Sequence, residues 1–227
     1  MKRVLLLAFA IILAAGAQGY WLPISPEADS AASPVVHSIN TSLDETVFNV
    51  SIPGVHVSEE GTRANSFQKL EVPSAGWLRE VGSPELPAIR KNIIVPRDAE
   101  VSLEITAGNT VVAEGYSVWP AQPSYKRDAQ KPEFEINSRV YDLNTQYPGS
   151  WGRIVQDGFI RDFRFVTVEI NPIQFVPATG ELMAASELEV RVVTTGGADF
   201  GPVEVFPTFD ALYHRVLENY GTLNIRL

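Results

Sequence analysis

The chain has 227 residues, of which 45% are hydrophobic, with a formal net charge of −9 and no cysteine. Because cysteine is absent, these residues cannot supply a disulfide framework, a thiolate metal site or a cysteine nucleophile. The negative charge argues against nucleic acid and anionic membranes as partners, since phosphate groups are bound by clustered cations.

The N-terminus has the layout of a secretory signal. Lys2 and Arg3 precede an apolar run from Val4 to Ala15, which ends in the small-residue triplet Ala15-Gly16-Ala17. The run is shorter than the roughly 20 residues that a transmembrane anchor needs. We therefore expect a signal peptide over residues 1–17, and a mature protein that is secreted, periplasmic or on a bacterial cell surface, without a membrane segment.

Residues 18–43 are rich in proline, serine and alanine without periodicity, and they predict a flexible tail. Regular patterning begins near Thr46. Apolar and polar residues alternate over Val101–Ile105 and over Leu188–Val192, as in strands with one buried face. Gly108-Asn109 is a hairpin signal that predicts pairing of residues 101–106 with residues 110–113.

Residues 159–170 form the longest strand candidate, with apolar side chains on both faces, and residues 171–180 are expected to be a structured connection. In total we expect an all-β domain over residues 44–197, an antiparallel, jelly-roll-like β-sandwich of about eight or nine strands.

A helix is predicted near the C-terminus, where an apolar stripe runs from Phe209 to Tyr220 at helical spacing. Thr208 is the expected N-cap and Gly221 the expected C-terminal cap. In this segment, residues 198–227, the helix follows a linker with proline and glycine. It is therefore interpreted as a linker and helix that could belong to a different structural unit.

Catalytic and metal motifs have little support in this sequence. Asp210, His214 and Glu218 share one helical face, but a solvated polar face explains them fully. No Gly-x-Ser-x-Gly elbow, phosphate loop or metalloprotease histidine pair occurs. We expect no catalytic residue, metal or cofactor.

The stretch from Gly82 to Pro96 predicts a rigid turn that leads into a buried strand, because its prolines cannot continue a helix or a central strand. The turn reads Gly-Ser-Pro-Glu-Leu-Pro, and the strand reads Ile-Ile-Val before Pro96. A second stretch, from Tyr147 through Pro172 to Gly180, combines proline, glutamine and glycine with strand-like runs.

Together these two stretches resemble the propeptides of gingipain-type cysteine peptidases, a clan CD, caspase-like family. The resemblance covers roughly residues 44–195. The positions that define the shared motifs are Gly82, Pro84, Leu86, Pro87, Pro96, Tyr147, Pro148, Pro172, Pro177 and Gly180.

This resemblance implies a secreted prodomain that keeps a cysteine peptidase latent and assists its folding, with the cognate peptidase domain as partner in cis or in trans. In the family, the histidine and cysteine of the catalytic dyad lie in a domain that follows the prodomain. No dyad residue can be assigned here, and residues 198–227 are expected to lead toward that domain.

If the partner peptidase prefers basic residues, four cations are candidate plugs or processing points: Lys126, Arg127, Arg215 and Arg226. The Lys126-Arg127 pair lies in a charged segment that predicts a surface loop, so it is the better plug candidate. The alternative is that all four are ordinary surface cations.

Two other functions stay open at the sequence level. One is a stand-alone secreted binding or adhesion module, for which exposed Trp119, Tyr125 and Trp151 could stack on a glycan. The other is the N-terminal scaffold of a sortase-like peptidase in a type IX-style secretion system.

Overall fold

The computed structural model describes residues 5–6, 19–25, 32–61, 65–202 and 204–224. The expected signal peptide lies outside these residues, apart from the backbone of Leu5–Leu6. Arg226 also lies outside them.

The described part of the chain forms fifteen strands, two α-helices and one 3-10 helix. The strands are β1 (Leu5–Leu6), β2 (Tyr20–Pro23), β3 (Val35–Thr41), β4 (Glu45–Ser51), β5 (Gly54–Gly61), β6 (Ser66–Glu71), β7 (Gly76–Trp77), β8 (Pro87–Ile94), β9 (Glu100–Ala107), β10 (Thr110–Ala113), β11 (Gly152–Ile160), β12 (Phe163–Ile170), β13 (Ile173–Val176), β14 (Glu181–Ala185) and β15 (Glu187–Thr195). The helices are α1 (Ser138–Tyr141), α2 (Pro207–Val216) and the 3-10 helix η1 (Tyr220–Thr222).

The strands form sheets with the orders β1-β10-β14-β13, β11-β12-β8-β7, β3-β4-β15-β9 and β2-β5-β6. Their pairings are antiparallel, except that β1 runs parallel to β10. The expected all-β antiparallel class is therefore confirmed, although the described strands outnumber the expected eight or nine.

One large core lies between the sheets. Strand β15 illustrates how the strands supply this core. Leu188, Val190 and Val192 are fully buried, while Glu187 and Glu189 face outward. This alternation is the period-2 pattern of a strand with one buried face. The core takes further side chains from β4, β5, β8, β12, β13 and β14, so the sheets share one hydrophobic interior.

The prediction of a flexible tail over residues 18–43 is wrong where the structure describes that segment. Tyr20–Pro23 pairs with β5, and Val35–Thr41 pairs with β4. The Trp21 ring also packs edge-on against His56, with ring centroids 4.7 Å apart. Backbone pairing at sheet edges orders this segment, and such pairing leaves little periodic signal in the side chains.

The predicted hairpin at Gly108-Asn109 is also wrong. Strand β9 pairs with β15, whereas β10 pairs with β14 in a different sheet. The Gly108 amide donates to the Glu187 carbonyl at 2.9 Å. The glycine turn therefore carries the chain between two sheets.

The longest strand candidate, residues 159–170, is instead divided between two strands by the turn of a hairpin. Arg161 has a φ of +53°, and it separates β11 from β12. Strand β12 lies between β11 and β8, which confirms the central position expected for its apolar residues. The connection over residues 171–180 contains β13, because Ile173–Val176 pairs with β14.

Helix α2 belongs with the sandwich. Tyr213, Leu217 and Tyr220 form a second buried cluster with Ile94 of β8 and Phe163 of β12. The interpretation of this segment as part of a different unit is therefore wrong for the described residues.

The caps of α2 also differ from those predicted. Phe206 is the N-cap and Pro207 is the first helical residue. Proline is favoured at this position because the amide of the first residue has no hydrogen-bond partner within the helix. Thr208 thus lies inside the first turn. Gly221 lies in η1, because the helix ends earlier, at Val216.

Asn219 fastens this C-terminal segment to the sheet. Its side chain is fully buried; Oδ1 accepts from the Ile94 amide at 2.8 Å and Nδ2 donates to the Ile94 carbonyl at 3.0 Å. The pair of bonds completes the backbone pairing of β8 where that strand ends.

We predict that Asn219→Ala lowers the free energy of unfolding by about 2–5 kcal/mol, because two buried backbone groups lose their partners. Asn224→Ala is the matched control, since Asn224 is exposed in the same segment. Urea unfolding of both variants measures the difference. Equal stability of the two would contradict the role of Asn219.

Candidate functional site

The loop from Gln122 to Glu135 presents the strongest candidate site. Lys126 and Arg127 lie near its tip, where both are exposed. A turn closes the tip, because the Ala129 amide donates to the Lys126 carbonyl at 3.0 Å. Neither cationic side chain has a hydrogen bond or ion pair among the described residues. Both are therefore free to engage another molecule.

The two ends of this loop are held together by Gln122. Its side-chain Nε2 donates to the Glu135 carbonyl at 2.8 Å, and its Oε1 accepts from the Glu135 amide at 3.0 Å. The glutamine side chain thus takes the place of a neighbouring strand.

An aromatic cluster packs at the end of the loop that lies next to Glu135. The Phe134 ring lies 5.3 Å from the Trp119 ring and 5.9 Å from the Phe67 ring, measured between centroids. Such separations are typical of aromatic packing. Because Phe67 is buried in β6, the cluster joins the loop to the sandwich.

The Gly82–Pro87 turn forms the base of the loop. The Gly82 amide donates to the Ala121 carbonyl at 2.8 Å, and the Ala121 amide donates to the Ser83 carbonyl at 2.9 Å. On the other side, the Asn137 amide donates to the Gly82 carbonyl at 2.9 Å. One glycine thus bonds both segments that flank the loop, and we call this arrangement the loop base.

Position 82 requires glycine for two reasons. Its φ is +79°, a conformation that L-residues with a side chain seldom adopt. A Cβ there would also lie 2.9 Å from the backbone nitrogen of Asn137. The approach of the Asn137 segment to the turn therefore depends on the absence of a side chain.

The other residues of the first motif fix this turn to the sandwich. Pro84 forms a bridge with Pro120, and the neighbouring Glu85 amide donates to the Trp119 carbonyl at 2.9 Å. Leu86 is fully buried, and Pro87 begins β8 opposite Trp77. Pro96 is buried just beyond the end of β8.

The residues of the second motif lie around β13 and β14. Tyr147, whose bond to Pro148 is cis, exchanges two backbone hydrogen bonds with Phe175, and the Pro172 carbonyl accepts from the Ala185 amide. Pro177 opens the turn that ends at Gly180. Gly180 has a φ of +72°, and a Cβ there would lie 2.7 Å from the Tyr116 carbonyl oxygen.

Tyr147 of the second motif contacts Glu80, which lies just before the first motif. The Tyr147 hydroxyl donates to Glu80 Oε2 at 3.4 Å. Burial, together with the Glu80 carboxylate, raises the pKa of Tyr147 to about 12, so the hydroxyl keeps its proton near neutral pH.

Ionisation of Glu85, in the turn beneath the loop, is disfavoured in the folded protein. Burial raises its carboxyl pKa, although Lys69 and Arg79 act in the opposite direction. The nearest partner is Lys69, whose Nζ lies 3.9 Å from Glu85 Oε2. The ionised form is therefore less stable in the folded protein than in water.

Arg215 lies apart from the loop. It is exposed in the last turn of α2, which contacts β8 and β12 through the second buried cluster. Asp210 and His214 approach to 3.7 Å, but Glu218 instead pairs with Lys91 at 3.0 Å. Within the described residues, no group of three potential metal ligands comes together.

The three aromatic residues considered for glycan stacking have different surroundings. Trp119 packs in the aromatic cluster, and the partly buried Trp151 packs against the large core. Tyr125 is 52% exposed. These contacts give the adhesion alternative no specific support.

Three residues that support the loop were not predicted from the sequence: Gln122, Phe134 and Asn137. Each residue contacts a partner that is distant in the sequence, or makes its contact through the backbone. Phe134, an aromatic within a charged segment, was the one available signal.

The chain belongs to a propeptide family, because the family model Propeptide_C25 matches residues 29–201. It is 24% identical over 228 residues to Lys-gingipain of Porphyromonas gingivalis, an alignment that spans 95% of this chain and 13% of that protein. Gingipain R2 of the same organism is 22% identical over 179 residues, spanning 76% of this chain and 24% of that protein. The chain therefore spans a small part of these relatives.

Two solved structures share the fold. A structure on the zymogenic latency of gingipain K from P. gingivalis superposes with a TM-score of 0.66 at 23% identity, covering 79% of this chain and all of that one. A complex of the pro- and mature domains of RgpB from P. gingivalis gives 0.69 at 18% identity, covering 80% of this chain and 95% of that chain. The gingipain propeptide resemblance is thereby confirmed.

Gly82→Ala tests the loop base, with Gly196→Ala as its matched control. Both glycines have φ near +80°, but a Cβ at Gly196 would meet nothing within 4 Å. We predict that Gly196→Ala lowers the free energy of unfolding by about 1–2 kcal/mol through backbone strain. Gly82→Ala should cost about 1–3 kcal/mol more, because the new methyl group displaces the Asn137 backbone. Equal losses in urea unfolding would contradict the close approach.

Glu85→Gln is predicted to stabilise the protein at pH 7 relative to the wild type. The raised pKa means that the folded state binds the Glu85 proton more tightly than the unfolded state, so ionisation costs stability as pH rises above about 4.3. The advantage of the variant should therefore shrink as pH falls toward 4. The difference between the two unfolding free energies, measured from pH 4 to 7, tests this. An advantage that grows on acidification would show the opposite shift.

Proposed function

We propose that this chain is a prodomain that keeps a gingipain-type cysteine peptidase latent and assists its folding. The observation that carries the proposal is the loop base, which holds an exposed Lys126-Arg127 tip on a buried turn. Family membership adds support, as does the shared fold with a prodomain solved in complex with its mature domain.

The proposed inhibitory element is the tip of the 122–135 loop. A loop inhibits well when it is held in its bound shape before binding, because less conformational entropy is then lost. Gln122 and the aromatic cluster supply that order here. Lys126 or Arg127 would enter a peptidase pocket that accepts a basic side chain, with the neighbouring backbone pairing along the cleft.

The proposed release step is cleavage beyond the sandwich. Arg215 fits this role poorly in the folded state, because peptidases bind extended substrate and Arg215 lies in a helix. Cleavage there requires α2 to detach from β8 and β12. Arg226 remains a processing candidate outside the described residues.

The proposed location is outside the cytoplasm, at the bacterial surface or beyond, after removal of residues 1–17. The N-terminal layout of the sequence supports this. None of the helices in the described ranges is long and apolar enough to cross a membrane.

Inhibition of a gingipain-type catalytic domain tests the proposal directly. The mature chain should inhibit hydrolysis of a substrate with a basic residue before the scissile bond. Replacing the inserted cation, through Lys126→Ala or Arg127→Ala, should raise the inhibition constant by about 30-fold or more, the effect of losing a hot-spot residue of about 2 kcal/mol.

Lys131→Ala is the matched control, because Lys131 is exposed in the same loop but outside the tip. Its inhibition constant should stay near that of the wild type. No inhibition by the wild-type chain at micromolar concentration would overturn the latency function. Inhibition that is insensitive to both tip variants would overturn the role of the loop.

A further inference from the structure

A polar cavity lies where the two motif regions meet, and the proposed function does not use it. Its volume is about 370 Å³, within the size range of small-ligand sites. Residues from the β7–β8 region, the Tyr147 segment and β11–β12 form its walls: Leu78, Arg79, Glu80, Arg90, Tyr147, Pro148, Ser150, Arg153, Glu169 and Asn171.

Three arginines dominate the charge of this cavity. Arg90 and Arg153 both bind Glu169, a carboxylate whose side chain is 2% exposed. Arg153 uses its Nε for that contact, at 3.0 Å, so its two terminal nitrogens remain available. Arg79 has no hydrogen bond or ion pair among the described residues, and its whole guanidinium is available.

The net charge of the lining indicates a monoanion. Three guanidiniums face two carboxylates, Glu80 and Glu169, which leaves one positive charge in a chain whose formal charge is −9. A doubly charged phosphate would leave uncompensated negative charge beside Glu80 and Glu169. A single carboxylate matches both the charge and the fork of an arginine.

A buried acceptor adds a second requirement. Asn171 is 2% exposed, and its Oδ1 accepts no hydrogen bond from the described residues. Its Nδ2 already donates to the Ser150 carbonyl at 3.2 Å, which fixes the orientation of the amide. Buried acceptors are normally paired, so the site favours a ligand that carries an N–H group beside its carboxylate.

We propose that this cavity binds an aspartate or glutamate side chain of another polypeptide, with Arg79 and Arg153 contacting the carboxylate and a peptide N–H available for Asn171. The inference does not depend on the latency function, because it rests on the cavity alone.

Titration of the ¹⁵N-labelled chain with acetyl-Gly-Glu-Gly-amide tests the proposal, and acetyl-Gly-Gln-Gly-amide is the matched neutral peptide. The amide signals of Ser150, Arg153 and Asn171 should shift saturably with the glutamate peptide. The glutamine peptide should bind at least about tenfold more weakly, since it lacks the charge-assisted bonds. Equal binding of the two peptides, or no saturable shift, would overturn the proposal, as would tighter binding of inorganic phosphate.

Variants assign the binding to the arginines. Arg153→Met and Arg79→Met should each weaken binding of the glutamate peptide severalfold. Arg79 has no hydrogen bond or ion pair among the described residues, and Arg90 still neutralises Glu169, so both variants should fold. Lys131→Ala removes the same charge at an exposed residue that does not line the cavity and should leave binding unchanged. A loss with Lys131→Ala equal to that with Arg153→Met would reduce the effect to overall charge and overturn the site.

The source of the acidic residue is distinguished with the peptidase assay. If Arg153→Met also weakens inhibition of the catalytic domain, the acidic side chain belongs to that domain. If inhibition is unchanged while peptide binding is lost, another polypeptide supplies it. Both results support the cavity as a carboxylate site.

Discussion

The position of the cationic loop depends on one backbone contact, the approach of the Asn137 segment to Gly82. Gly82 accepts from Asn137 and donates to Ala121 in a conformation that a side chain would strain. The two segments that flank the loop are therefore set by the same residue. The prolines of the turn carry no amide donor, so its hydrogen bonds are made by the amides of the other residues. A buried turn in the sandwich thereby determines where an exposed loop stands.

This constraint changes the meaning of the first motif. From the sequence, Gly82–Pro87 is a rigid turn of the shared motif, and the plug candidate Lys126-Arg127 lies in a separate surface loop. The structure places that turn directly beneath the loop that offers the best contact surface. The motif is thus connected to the proposed function through two segments of backbone, without any of its side chains needing to reach a partner.

The sequence predicted those features that depend on neighbouring residues. The turn before β8 follows from its prolines, and the buried face of β15 follows from strict alternation. Features that depend on distant partners were not predictable. Asn219 binds Ile94 across 125 positions, and the edge strands in residues 20–41 are ordered by pairing with β4 and β5. The hairpin prediction at Gly108 failed because a glycine turn can equally carry the chain into another sheet. The hydrogen bonds between the Gln122 side chain and the Glu135 backbone have no local signature in the sequence.

The two surfaces that we propose as partner sites differ in charge from the rest of the chain. The chain is acidic, yet the loop tip exposes two free cations and the cavity between the motifs holds three arginines. Both surfaces lie on segments fixed by the motifs. Hydrogen exchange of the mature chain, alone and with a gingipain-type catalytic domain, tests whether the 122–135 loop contacts the peptidase. We expect the catalytic domain to protect amides within residues 122–135, with the loop base already protected in the free chain. Protection confined to other segments, with the loop unchanged, would contradict it.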